Sequence, residues 1–444
     1  MQMKKNILTA TLGILLFLFN KPLKAQFLME MVDTSTVMGK GIYDMYNRFH
    51  YFSISGYIQP QFQLAESKGI NSFSGGSFDS MTDNRFTVRR GRIRFDYLRN
   101  DQKNYPKVHF VFQYDITERG AFVRDFWGRI YDSKYNLFSF TSGIFARPFG
   151  YEINLGSADR ESPERGRMSQ TLCKVERDLG AMVSFDPKDK KSKLYYLRMD
   201  LGVFNGQGIS SLGNAPAVGV TDYDNYKDII GRIGFKPYKI TKKLTISGGV
   251  SGLYGGLAGL NKVTYKMGTD ANSNNAFLID SLQNYAGKKS ERIYYGIDLQ
   301  AKFAHKWGNT EVRFEYWRGS QSATSTSSET PNTLQTNPLY IRNFDGAFIY
   351  FLQNIVNKRH QIAIKYDWYD PNTNVEGNQI ANGLNLTKAD IKFTTLGFGY
   401  INYFDPNVKL VLWYDLVTNE NTKLTSYTGD LKDDVVTVRL QFRF

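Results

Sequence analysis

The 444-residue chain predicts an all-β fold, a transmembrane antiparallel β-barrel of about 16 strands. Three observations carry that expectation. After residue 50, apolar and polar residues alternate with period two, as in strands with one greasy and one wet face. Many of these segments exceed the ~5–6 residues usual in soluble sheets and reach the ~9–11 that span a membrane. The connections between them alternate between short and long, as they do between the two ends of outer-membrane barrels.

The first segment, 51–64, places Phe52, Ile54, Ile58, Phe62 and Leu64 on one face. Ser53, Ser55, Tyr57, Gln59, Gln61 and Gln63 fall on the other. The same split recurs at 84–97, 105–116, 121–132, 136–147, 177–187, 193–205 and 226–237. It continues at 242–255, 290–305, 308–319, 339–355, 358–370, 390–404, 407–419 and 432–444. The long polar connections are 65–83, 148–176, 206–225, 256–289, 320–338, 371–389 and 420–431, with 117–120 a short exception. An even count returns both ends to one side, and sixteen strands leave room for water. Aromatics make up 15% of the chain, and Tyr97, Tyr105, Tyr131, Tyr135, Tyr403 and Trp413 sit near strand ends, where interfacial girdles form.

The start of the chain sets the compartment. Lys4 and Lys5 precede an apolar run from Ile7 to Phe19, which reads as a secretory signal peptide, 1–25, cleaved after Ala25. The run is too short to span a bilayer as a helix. Removing it with its four lysines leaves 419 residues and a charge balance of +10, against +14 for the whole chain. Residues 26–50 lack the alternation and read as a periplasmic N-terminal segment; 51–444 reads as the barrel. A leader and a barrel together point to the outer membrane of a Gram-negative bacterium. One cysteine, Cys173, excludes an internal disulfide framework, and His50, His109, His305 and His360 show no metal-ligand spacing.

No cofactor or catalytic constellation is expected. The glycines of "GVFNGQG" open no helix. The inward faces are more informative. Their basic residues outnumber their acids, and "RFTVRRGRIRFDY" (85–97) concentrates Arg89, Arg90, Arg92 and Arg94 beyond any local acids. Phe86 and Val88 are even-numbered apolars, whereas Ile93, Phe95 and Tyr97 are odd, so the strand slips phase. A bulge near Arg89–Gly91 repairs the slip and turns both arginines inward. Without it Arg89 would face lipid, at ~2–4 kcal/mol near the midplane. A strand held in a barrel wall cannot present these arginines to a nucleic-acid duplex, so an anion pathway is the expected use. Glu311 and Glu315 are expected to pair with Arg313 in the lumen.

These motifs resemble the phosphate-selective porin O and P family over nearly the whole mature chain. The resemblance rests on "FTVRRGRIRF", "SGIFARPFGYE", "ESPERGRM" followed by "ERDLGAMV", "GVFNGQG", "KYDWYDPN" and the closing "VRLQFRF". It implies a homotrimer of sixteen-stranded barrels with an inward-folded third outer loop, here 148–176. It also implies a phosphate site at Arg89 and Arg90, with Asp125 inward, Ser157 on the loop, and Glu164 and Arg165 following. Two departures remove cations from that site: Tyr57 stands where an arginine is usual, and Ala158 and Asp159 where a loop lysine is. They point to weak phosphate binding. The terminal Phe444 is of the kind read by barrel-assembly machinery. The expected function is passive diffusion of small anions, with phosphate a candidate. A general diffusion porin without a specific anion site, and a plugged barrel that docks a partner protein, remain open alternatives.

Overall fold

The computed structural model describes residues 51–101, 105–209, 222–281 and 283–444. The expected leader 1–25 and the segment 26–50 lie outside the described residues. The wall is built from sixteen antiparallel strands. They are β1 (Phe52–Ala65), β2 (Asn84–Asn100), β3 (Pro106–Thr117), β4 (Gly120–Tyr131), β5 (Phe138–Ala146), β6 (Arg177–Phe185), β7 (Leu197–Phe204), β8 (Asp228–Lys239) and β9 (Leu244–Ala258). After a loop that carries β10 (Thr264–Thr269) and β11 (Asn275–Asp280), the wall resumes. It continues with β12 (Lys289–His305), β13 (Gly308–Ala323), β14 (Leu339–Ile355), β15 (His360–Asp370), β16 (Phe393–Asp405), β17 (Val408–Asn419) and β18 (Val435–Arg443). The sheet closes because β1 pairs with both β2 and β18. At the seam, Gly56 and Phe444 exchange both backbone hydrogen bonds, at 3.0 and 3.1 Å. Closure leaves no edge amide for a bilayer to strand without a partner.

The alternation read from the sequence sorts into two environments. Ile58, Phe112, Val183, Leu201, Ile297, Leu412 and Val438 are exposed on the outside, while Gln59, Gln61, Gln63, Arg292, Asp298, Lys365 and Arg439 are buried inside. In water that outer surface would be an unpaid cost of apolar exposure; against lipid it is the favourable one.

Two expectations need correction. The loop 256–289 is not simply polar: β10 and β11 form an antiparallel hairpin in it, and β10 runs parallel to the start of β14. Asp270 closes its turn by accepting from the Asn272 and Asn274 amides at 2.8 Å. The hairpin is held by Phe277, which packs with Tyr340, Ile380, Leu386 and Ile391 in a small apolar core among the long loops. Trp413, expected in an aromatic girdle, points inward. Its indole N–H donates to Asp415 at 2.7 Å, over the flat strip left by Gly397 and Gly399.

The loop 148–176 lies inside the barrel. Its first residues are fixed by β9 and β13: the Gly150 amide donates to Ser251 Oγ at 2.9 Å, and the Tyr151 and Glu152 amides donate to the Glu315 carboxylate at 3.0 and 2.8 Å. Gly150 has φ +61, and a Cβ there would collide with that carboxylate. Further on, the Ser162 and Tyr350 hydroxyls meet at 2.6 Å, Lys409 donates to the Ala158 carbonyl, and Arg439 to that of Pro163. A short helix, α1 (Arg167–Leu172), follows. Phe149, Ile153, Met168 and Leu172 of the loop pack on Tyr294, Trp317 and Phe344. The lumen therefore has an apolar lining along β12–β14, and the loop covers it.

Candidate functional site: an arginine-lined lumen

With the loop packed on the β12–β18 side, two large spaces lie beside it among the described residues. The larger, about 1090 Å³, faces the long loops and is lined by Arg89, Arg90, Arg92, Arg124, Glu164 and Glu176, among others. The smaller, about 530 Å³, is lined by Arg94, Asp125, Arg129, Arg177, Arg198 and Arg232, with Tyr151, Asp159 and other loop residues. Eleven basic and five acidic side chains line the first. Five basic and three acidic side chains line the second.

Strand β2 does slip phase. Phe86 is exposed on the outside while Arg92 is buried inside, and between them Arg89 and Arg90 both reach the lumen. Gly91 sits at the slip; a Cβ there would run into the carbonyl of Ile116 on β3. Glu164 of the loop gathers three guanidiniums: Arg89 at 2.8 Å, Arg90 at 2.7 Å and Arg439 at 3.0 Å. Burial alone would raise the Glu164 carboxyl, but the arginines outweigh it and hold it well below the usual carboxylate range.

Glu176 is a second hub. It pairs with Arg124 at 2.6 Å, Arg165 at 3.3 Å and Arg177 at 3.7 Å, and these arginines overcome its burial in the same way. Arg165 is otherwise spent on the chain itself, donating to the carbonyls of Ser169, Cys173 and Lys174. Asp125 pairs with Arg177 at 3.2 Å. Ser157 meets Tyr57 at 2.6 Å, and Gln59 bridges the Ser157 carbonyl to Arg90. Arg92 pairs with Asp115 at 3.2 Å, and Arg94 with Asp96 at 2.6 Å.

The expected site residues are thus only partly brought together. Arg89, Arg90 and Ser157 are neighbours through Glu164 and Gln59. Arg165, adjacent to Glu164 in sequence, turns away to the other hub. The four β2 arginines of the expected site outnumber the three acids that hold them, yet each has a carboxylate partner: Glu164 takes Arg89 and Arg90, Asp115 takes Arg92 and Asp96 takes Arg94. Asp159, which stands where the resemblance expects a loop cation, pairs with Arg443 at 2.9 Å. Glu315 does not pair with Arg313, which takes Glu311 and Glu161 instead, both at 2.7 Å.

The sequence reading missed Arg124. Its neighbour Asp125 faces inward, so strict alternation sends Arg124 to lipid. The β3–β4 register slips between Gln113 and Tyr114, which pair with Asp125 and Val123. The skipped residue, Arg124, turns in. The available signal was the ~2–4 kcal/mol cost of an arginine on the lipid face, the argument that served for Arg89.

No family model and no curated relative matches this sequence. Solved structures do match. The outer membrane channel DcaP of Acinetobacter baumannii is 11% identical, with 88% of this chain and 97% of that chain covered and a TM-score of 0.52. OmpF of Salmonella typhi, solved with daunomycin, is 13% identical over 88% and 97%, with a TM-score of 0.50. The chain has the fold of the outer-membrane porins, a closed 16-stranded antiparallel barrel with an apolar outer face.

Proposed function

We propose that the protein is a porin of the phosphate-selective O and P type that passes small anions by passive diffusion, with phosphate one of them. The observation that carries this is the charge of the larger cavity, where eleven basic side chains face five acidic ones. Fixed charge in a narrow space with low-dielectric walls raises the local counter-ion concentration. A homotrimer in outer-membrane lipid, delivered by barrel-assembly machinery that reads Phe444, belongs to the same proposal.

A general porin without a specific anion site is the second reading, and one feature favours it. Arg89, Arg90 and Arg165, the donors expected to converge on phosphate, are already engaged by Glu164, Glu176 and backbone carbonyls. Phosphate binding at those three is accordingly expected to be weak.

The reversal potential of the reconstituted channel in a dilute potassium chloride gradient tests the proposal. It should lie toward the chloride equilibrium potential. A reversal at zero or toward potassium would end the anion reading.

A further inference from the structure

The short-turn end of the barrel carries a cluster of lysines that the lumen does not use. Strands β7 and β8 pair, so the β6–β7 turn (186–196) stands near the β8–β9 turn (240–243). The Lys236 amide ties them by donating to the Tyr196 carbonyl at 2.7 Å. Lys190, Lys191 and Lys193 on the first, and Lys239, Lys242 and Lys243 on the second, are exposed. Among the described residues none of these lysines enters an ion pair: Asp186 takes Lys188 and Lys236, and Asp189 accepts the Lys191 amide at 2.9 Å. The β16–β17 turn at the same end, Pro406 and Asn407, has no cation.

An apolar surface lies among the lysines. The β8–β9 register slips between Phe235 and Tyr238, so Tyr238 pairs with Ile246 and faces outward with it. The Tyr238 ring meets that of Tyr196 edge-on at 4.8 Å. Both tyrosines are exposed, as are Leu194 and Ile240, two residues from them in the chain. The surface runs on into Leu201, Ile233 and Phe235 of the outer wall.

We infer that this patch binds the headgroups of anionic glycerophospholipids in the leaflet at the short-turn end, the periplasmic leaflet of an outer membrane. Ammonium groups without a carboxylate suit phosphodiester oxygens. Tyrosine settles at the headgroup level, and lysine stems lie along apolar surface while their charges reach water. The unbroken join to the apolar wall favours a lipid over the peptidoglycan polymer or a soluble acidic protein, either of which would meet the lysines without that flank. The inference rests on the barrel being in an outer membrane and not on what it conducts.

The test is motional restriction of spin-labelled phosphatidylglycerol and, separately, phosphatidylcholine by the full-length barrel in phosphatidylcholine vesicles, read by electron paramagnetic resonance. Wild type should hold phosphatidylglycerol several-fold more tightly. The preference should shrink at about 1 M salt, where the Debye length is ~3 Å. Lys190→Gln, Lys191→Gln and Lys193→Gln together should cut it several-fold, as should glutamine at Lys239, Lys242 and Lys243. Glutamine at Lys358 and Arg359, exposed on the β14–β15 turn, should leave it nearly intact. A preference absent from wild type, insensitive to salt, unchanged in both triple variants, or lost equally in the Lys358 and Arg359 control overturns the patch. If the triple variants do not insert, the wild-type preference and its salt dependence decide alone. Cosedimentation of the detergent-solubilised barrel with purified peptidoglycan, without any lipid preference, would overturn the lipid and assign the lysines to that polymer. The chloride reversal potential of the same preparations reports on the porin reading separately.

Discussion

The two sides of the lumen use arginine in opposite ways. Along β12–β18, Arg313, Arg342 and Arg439 are buried and bonded to loop carboxylates or carbonyls. They hold the loops in place. Along β2–β4, the phase slips at Arg89–Gly91 and at Arg124 bring in more cations than the local acids fully occupy. That side keeps donors for water and ions. Arg89 and Arg90 share the loop's Glu164, so part of this face is fastened too, whereas Arg92 and Arg94 pair with carboxylates of the wall itself.

The largest expected effect comes from detaching the fastened side. Gly150→Val puts a β-branched side chain at φ +61 and against Glu315. The loop should leave the lumen, single-channel conductance should rise several-fold, and the buried Cys173 should react with a water-soluble maleimide. Unchanged conductance and labelling would mean that the loop is held elsewhere.

Next is Arg313→Ala. It leaves Glu161 without its partner and Glu311 with only Lys302 at 3.8 Å, and breaking a buried pair costs ~3–5 kcal/mol. The barrel should unfold at lower temperature in detergent. An unshifted melting curve would move Arg313 out of the fastening group.

The contrast was only half visible in the sequence. Sixteen wall strands follow from alternation because lipid and water impose opposite demands on neighbouring side chains. The hairpin β10–β11 escaped because its six-residue strands serve a core built from other loops, such as Ile380 and Leu386. Arg89 and Arg90 could be turned inward from Phe86 and Ile93, yet their capture by Glu164 depends on a loop folding across the barrel. Arg124 was hidden because its slip is defined by register against β3, which no single strand displays.

A smaller effect belongs to the open side. Alanine at Arg90, Arg92 and Arg94 should lower chloride-over-potassium permeability while the barrel still inserts. The loss should shrink as salt rises, since the Debye length falls from ~10 Å at 0.1 M to ~3 Å at 1 M. A reversal potential unchanged at low salt would make these arginines fasteners too.

The smallest is a pH effect at the mouth. Burial pushes Asp433 up to about 7, with Arg167 opposing and Asp430 and Asp434 adding to the rise. It is neutral below that pH and negative above it. Chloride preference should therefore fall modestly as pH rises through about 7. Glu164 and Glu176 stay ionised throughout that range, being held low. Asp433→Asn should flatten the step, and a step that persists in this variant would have to come from another group.

The two skipped residues also change the linear charge density of the pathway. On an unbroken strand, side chains on one face recur roughly every 7 Å. A slip halves that spacing at one point, so Arg89 sits beside Arg90 and Arg124 beside Asp125 without an added strand or a wider pore. A barrel of fixed girth can thus sharpen its field over one short stretch and leave it shallow elsewhere. Deleting one residue at either slip would return an arginine to the lipid and flatten the profile, with every other strand left in register.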